Sequence, residues 1–283
     1  MGKWMMSGST VSPSNRLKRL VATAVISICF TPSAHAQSAD ALPIEIIKGF
    51  RNDLYVMAER TGGSVEEWNS LEQRAIEALN ASLENAGQDA VLSNERGRNA
   101  LHLAAADGFL FLLDPLLNDD RLRAEINVTD ADGLTPYDYA VLALPLTLQA
   151  CHPESENPFL LVPYMVKLPY YLDRQPFEAI LASLERAGAD TDLSRARHWW
   201  LSKCSNADPA ARKGVETSQD LHGSLLDLTE KVLVQKKRQD VDEKVELYKE
   251  LVEMMPDRTK PSPEEIKDQI RQFYLEAGMS PPS

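Results

Sequence analysis

The chain has 283 residues, 43% of them hydrophobic and 25% charged, enough apolar material for a sizeable core. Its 42 acidic residues outnumber 30 basic ones, and the formal net charge of −12 disfavours nucleic acid and anionic membrane as partners, because both would repel such a surface. The same balance suits a basic protein partner, or simply a well-solvated surface.

Residues 1–36 read as a bacterial-type secretory signal. Arg16, Lys18 and Arg19 precede an apolar run over residues 20–30, and Ala34-His35-Ala36 puts small residues at the two positions a signal peptidase inspects, so cleavage is expected after Ala36. The run is shorter than the roughly 20 residues of a spanning helix, and no later segment is long and apolar enough to cross a membrane. Lipidation at Cys29 is disfavoured because Ile28 stands where a small residue is expected. Cleavage would remove four basic residues and no acidic one, leaving a net charge of about −16.

Residues 37–92 are expected to hold N-terminal helices. Ser64-Val65-Glu66-Glu67 has the form of a capping box, after which Trp68, Leu71, Ala75, Leu79 and Leu83 recur at helical spacing. Residues 78–87 and 179–188 share an apolar spacing and a terminal glycine, and each reads as a helix.

Residues 93–205 contain a repeated pattern. Gly97-Arg-Asn-Ala-Leu-His-Leu-Ala-Ala-Ala-Asp-Gly108 is echoed by Gly133-Leu-Thr-Pro-Tyr-Asp-Tyr-Ala140, with Asp130 and Asp132 ahead of the second copy. Asn99 and Thr135 are placed to cap a helix, Pro136 fits its first position, and Gly108 suits its end. Leu110, Leu112, Leu113, Leu116 and Leu117 predict a second helix, in which Pro115 suggests a kink. These segments resemble the ankyrin repeat, whose helix-opening signature is G-x-T-P-L-H-x-A-A-x-x-G, and Gly188-Ala189-Asp190 is similar to the end of that family's outer helix. The 36-residue spacing from Gly97 to Gly133 exceeds the family period of about 33, and a longer loop through Asp119-Asp120-Arg121-Leu122-Arg123 can absorb the excess. Counting the flanking helices, about four units are expected.

Residues 145–176 interrupt the second unit with six prolines and with Phe159, Tyr164, Tyr170 and Tyr171, which read as a covering flap or as binding hot spots. The mature chain would keep Cys151 and Cys204, suited to a disulfide in an oxidising compartment, with two separate buried thiols as the alternative. A metal reading through Cys151, His152, His198 and Cys204 lacks a recognised ligand spacing. His198, Trp199 and Trp200 are expected to fill the end of the repeats. Residues 206–283 are expected to form a helical cap, with Leu221, Leu225, Leu228 and Val232, then Val245, Tyr248, Leu251 and Val252, at helical spacing. Residues 205–217 read as a linker, and a last helix is expected from Ser262-Pro263 to Gly278.

The expected fold is all-α: an ankyrin-like helical repeat solenoid with short hairpin loops and a C-terminal helical cap. The resemblance implies protein binding through hairpin tips, so Arg96, Arg98, Asp130 and Asp132, together with Tyr170 and Tyr171, are the candidate contact residues, while His102 and Thr135 take structural positions. No phosphate loop, nucleophile elbow or zinc-protease motif stands out, so no enzyme, cofactor or metal is expected. The expectation is a periplasmic scaffold that neutralises or stabilises another protein, such as a toxin or an enzyme. A helical hydrolase or metal-binding protein with a site near His152 and His198 is the alternative. Expression in a Gram-negative host should give a periplasmic product whose N-terminal residue is Gln37, read by intact mass; an uncleaved or acylated chain would contradict the signal reading.

Overall fold

The computed structural model describes residues 41–60, 64–151 and 174–281, and among these the regular structure is helical throughout, with twelve α-helices and no strand. The first two helices are α1 (Pro43–Arg60) and α2 (Val65–Asn85). Ile47, Phe50, Leu54 and Met57 make one buried stripe along α1, and Trp68, Leu71, Ala75 and Leu79 make the facing stripe of α2. Ser64 caps α2, its Oγ accepting from the Glu67 amide at 3.1 Å.

Next come α3 (Ala100–Ala106) and α4 (Leu110–Asn118). All seven residues of α3 are buried, so this short helix is covered on every side. Ala104, Ala105 and Ala106 make that approach possible because they hold neighbouring helices off by no more than a methyl group. Gly108, with φ +74°, turns the chain between the two helices, and a Cβ there would lie 2.9 Å from Gln175 Cβ, so the position needs glycine for both reasons. The helix α4 continues past Pro115 to Asn118. The acidic and basic run expected as an enlarged loop instead forms a one-turn helix, α5 (Asp120–Arg123), because Asp119 caps it through the amides of Arg121 and Leu122. Arg121 then reaches back to the Leu83 carbonyl at 2.8 Å and to Gly87, satisfying acceptors beyond the end of α2.

The second copy of the repeated pattern gives α6 (Pro136–Leu142), again with all seven residues buried. Ala143 ends it in the left-handed region at φ 42°, and the chain turns at once into α7 (Leu144–Cys151). The Thr147 hydroxyl donates to the Leu142 carbonyl across this turn. Cys151 at the end of α7 is bonded to Cys204, with both cysteines buried and their Cα atoms 5.0 Å apart. The chain returns at Arg174, which bonds Glu72 and Asn69 on α2, and at Gln175, which donates to the Asp107 carbonyl at 2.8 Å.

Then follow α8 (Phe177–Arg186), α9 (Ser194–Lys203) and α10 (Pro209–Thr217). The last replaces the expected linker: Asp208 accepts from the amides of Ala210 and Ala211, and Pro209 occupies the first position. In one layer α1 packs on α3, α3 on α6 and α6 on α9; in the other α2 packs on α4 and α4 on α8. Four helix pairs result: α1 with α2, α3 with α4, α6 with α8, and α9 with α10.

The C-terminal region is one unbroken helix, α11 (Leu221–Met254), followed by α12 (Pro263–Glu276) with the expected capping box at Ser262. Leu221, Leu225 and Leu233 join the main core, and α11 packs on α6, α7 and α10. Further along, Val241 and Val245 leave that core and bury Tyr274 of α12 in a separate small cluster. Reduction of the 151–204 bridge, which spans 53 residues, should lower the unfolding free energy by about 2–4 kcal/mol. Denaturant midpoints with and without reductant measure this, and equal midpoints would remove the bridge from the stabilising interactions.

Candidate protein-binding face

Two turns, 36 residues apart, repeat one another bond for bond. Asn94 Oδ1 accepts from the amides of Arg96 and Arg98, at 2.9 and 3.1 Å, and Asp130 Oδ1 accepts from those of Asp132 and Leu134, at 2.8 and 3.2 Å. The Asn94 amide donates to the Arg98 carbonyl and the Asp130 amide to the Leu134 carbonyl, closing each turn on itself. Gly97 and Gly133 sit at its tight point with φ +76° and +74°, a conformation open to glycine at little cost. Helices follow with matching caps, in which Asn99 and His102, then Thr135 and Asp138, exchange side-chain and backbone bonds. Laterally, the Ala131 amide donates to the Arg96 carbonyl at 2.8 Å, so the two turns touch edge to edge.

Beneath the turns lies a network of charge. Asp130 Oδ2 accepts from Tyr139 at 2.7 Å and from Arg98 Nε at 2.9 Å, and Arg98 also covers the Tyr139 ring at 5.0 Å. Burial pushes the Asp130 carboxyl upward, but the bonds from Tyr139 and Arg98 outweigh it and hold the group below its ordinary value. Tyr139 is raised by burial and by its bond to Asp130. Asp132 binds Arg96 at 2.8 Å and Arg98 at 3.1 Å.

This arrangement separates the expected tip residues. The Asp130 side chain is 0% exposed and Arg98 only 19%, so both are committed to holding the turns together; the contact role expected for them passes to their neighbours. Arg96, at 59%, reaches solvent. Asp132 is accessible at its edge, with 11% exposure. Tyr170, Tyr171 and His152 lie outside the described residues.

The links between successive units are polar and buried. His102 Nε2 donates to the Leu134 carbonyl at 3.2 Å, while its Nδ1 accepts from the Asn99 amide at 3.2 Å, an arrangement that requires the neutral ring. One unit further on, Asp138 stands at the corresponding position and the link is an ion pair, Arg195 Nε to Asp138 Oδ2 at 2.9 Å. Arg195 also bonds Asp190, whose own Oδ1 accepts from the Asp192 amide and so starts a third, less regular turn.

Along α9 and the second turn runs a cleft of about 400 Å³ lined by Asp132, Gly133, Arg195, His198, Trp199 and Lys203, among others. Sequence reasoning assigned His198, Trp199 and Trp200 to filling the end of the repeats. Trp200 is fully buried and does so, whereas His198 is exposed and Trp199 half-buried in the cleft wall. A signal was present: residues 194–203 carry Arg195, Arg197, His198 and Lys203 and no acid, in a chain that is strongly acidic overall. Among the described residues no group of three or more His, Cys, Asp or Glu side chains is placed to hold a metal ion. Comparison with protein-family models, curated proteins and solved structures finds no match.

His102 predicts an acid-sensitive step. Burial holds it down to about 4, below the ordinary value near 6.5. Between those values the unfolded chain binds a proton that the folded chain refuses, so stability present at pH 7 is lost as the pH falls through this window, by up to about 1.4 kcal/mol per unit. Urea midpoints at pH 7 and pH 5 should therefore differ less for His102→Asn than for the parent, although the variant is the less stable of the two at pH 7; an unchanged pH slope would contradict the assignment.

Proposed function

We propose that the chain is an ankyrin-like repeat scaffold that acts by binding another protein. The observation that carries this reading is the 36-residue duplication of a complete hydrogen-bonded turn and capped helix, set within four stacked helix pairs. The G-x-T-P-L-H-like residues occupy the positions such a repeat needs: Asn99 and Thr135 cap, His102 links units, and Gly97 and Gly133 turn. Stacked repeats present a row of turn tips along one side, and in such architectures that row is a binding surface. Here it offers Arg96, Asp132, His198 and Lys203.

The scaffold is exported to the periplasm. Residues 1–36 have the layout of a cleavable signal, and the 151–204 disulfide suits an oxidising compartment. There it neutralises or stabilises a partner protein, such as a toxin or an enzyme. No helix among the described residues is long and apolar enough to cross a membrane.

The test is capture followed by titration. Immobilised chain, residues 37–283, is passed through periplasmic extract of the source cells, and the retained protein is identified by mass and then purified. Arg96→Glu should weaken its binding by more than about tenfold, a hot-spot effect, with an unchanged thermal midpoint. Binding that survives Arg96→Glu and His198→Ala but is lost on altering the exposed Leu247 and Leu251 of α11 would move recognition to the C-terminal helices and end the turn-face reading.

A further inference from the structure

We propose that the cleft between the second turn and α9 is a receptor for a carboxylate of the partner protein, an acidic side chain seated beside Trp199 and paired with Lys203. This rests on the protein-binding reading above and names the chemistry of its central contact.

Four observations meet at this cleft. The first is charge: α9 is basic throughout, with Arg195, Arg197, His198 and Lys203, and it borders a cavity of about 400 Å³ large enough for one acidic side chain and its neighbours. The second is an unspent cation. Lys203 is 53% exposed, and its only ion-pair partner among the described residues is Asp132, at 3.8 Å, where Asp132 is already bonded more closely by Arg96 and Arg98. An ammonium at the edge of hydrogen-bonding range from a carboxylate shared by two guanidiniums is free to take another.

The third is a donor excess in the wall. Arg195 spends Nε on Asp138 and Nη1 on Asp190, but its Nη2 has no partner among the described residues, and neither has Trp199 Nε1. Two enclosed donors without acceptors on one wall are costly in the free chain and favour a ligand that brings acceptors. The fourth is selectivity. Asp130, Asp138 and Asp190 are each already held by an arginine, so no unpaired carboxylate on this wall repels an incoming anion. An ammonium or guanidinium from the partner would instead meet Lys203 and Arg195 and be repelled. The aromatic Trp199 adds a flat apolar contact for the side chain's methylenes.

The probe is acetylated tetraglutamate, with acetylated tetraglutamine as the neutral isostere, titrated into ¹⁵N-labelled chain while the Trp199 indole Nε1–H resonance is followed. Trp199→Phe identifies that resonance. Tetraglutamate should shift it saturably and tetraglutamine should not. Lys203→Met should weaken the binding by about tenfold, the scale of a lost charge-assisted bond, while Lys249→Met on α11 leaves it unchanged. No shift, an equal shift with tetraglutamine, or an equal affinity in Lys203→Met overturns the proposal. If a captured partner binds Lys203→Met as tightly as the parent, the cleft inference fails while the scaffold reading stands. If tetraglutamate behaves as expected yet no protein is retained from the extract, the scaffold reading fails and the cleft inference stands.

Discussion

A seven-residue helix is almost all ends, and the fold is built on two of them. Four amides at the start and four carbonyls at the finish of any helix lack partners within it, so α3 and α6 have scarcely a residue that is free of the problem. Both are also buried along their whole length, which removes water as a partner. Everything around them answers that constraint. Asn99 and Thr135 accept at the starts, His102 and Asp138 return the bond, and the turns that precede them are held by Asn94 and Asp130. The layering of helices follows from the same constraint, because such a short rod is stable only between neighbours.

The second unit shows how two chemistries can meet one geometric demand. His102 spans to the next turn as a neutral donor, a link sensitive to acid. Asp138 at the matching place carries a charge, and Arg195 from the following helix meets it. Neighbouring units are thereby joined by bonds of different type within one repeating frame, and the ion pair brings α9 against α6 with its basic side chains along the turns. Arg51 and Asp107 make a comparable join at the other end, where burial raises the Asp107 carboxyl although Arg51 lies beside it.

The parts of this arrangement that were legible in the sequence are the local ones. Caps, turn glycines and the 36-residue offset are written in adjacent residues, so Thr135-Pro136, Ser262-Pro263 and Gly97 could be placed without a structure. The long helix α11 was legible as two apolar stripes, but not as one rod, since its middle carries Lys236, Lys237, Arg238 and Asp240 and offers no breaker to mark either a stop or a continuation. Helix α1 was missed although Ile47, Phe50, Leu54 and Met57 have helical spacing. The 205–217 stretch misled because its small and polar residues resemble a linker, whereas Asp208-Pro209 is a start signal. Burial of Asp130 was beyond reach: its partner Tyr139 is nine residues away and its other partner, Arg98, thirty-two, and nothing local distinguishes an enclosed aspartate from a solvated one.

The chain leaves the stack at Ala143 and rejoins it at Phe177, and both departures are fastened. On one side α7 lies against α11 and is bonded through Cys151 to Cys204; on the other Arg174 and Gln175 grip α2 and the end of α3. With both ends clamped, the stretch between them can change length at a small entropic cost, roughly 0.6 kcal/mol for each doubling, without disturbing the helices it departs from. That makes this junction a natural port for sequence diversification, where a lineage, or an engineer, can exchange one inserted segment for another while the underlying frame stays the same.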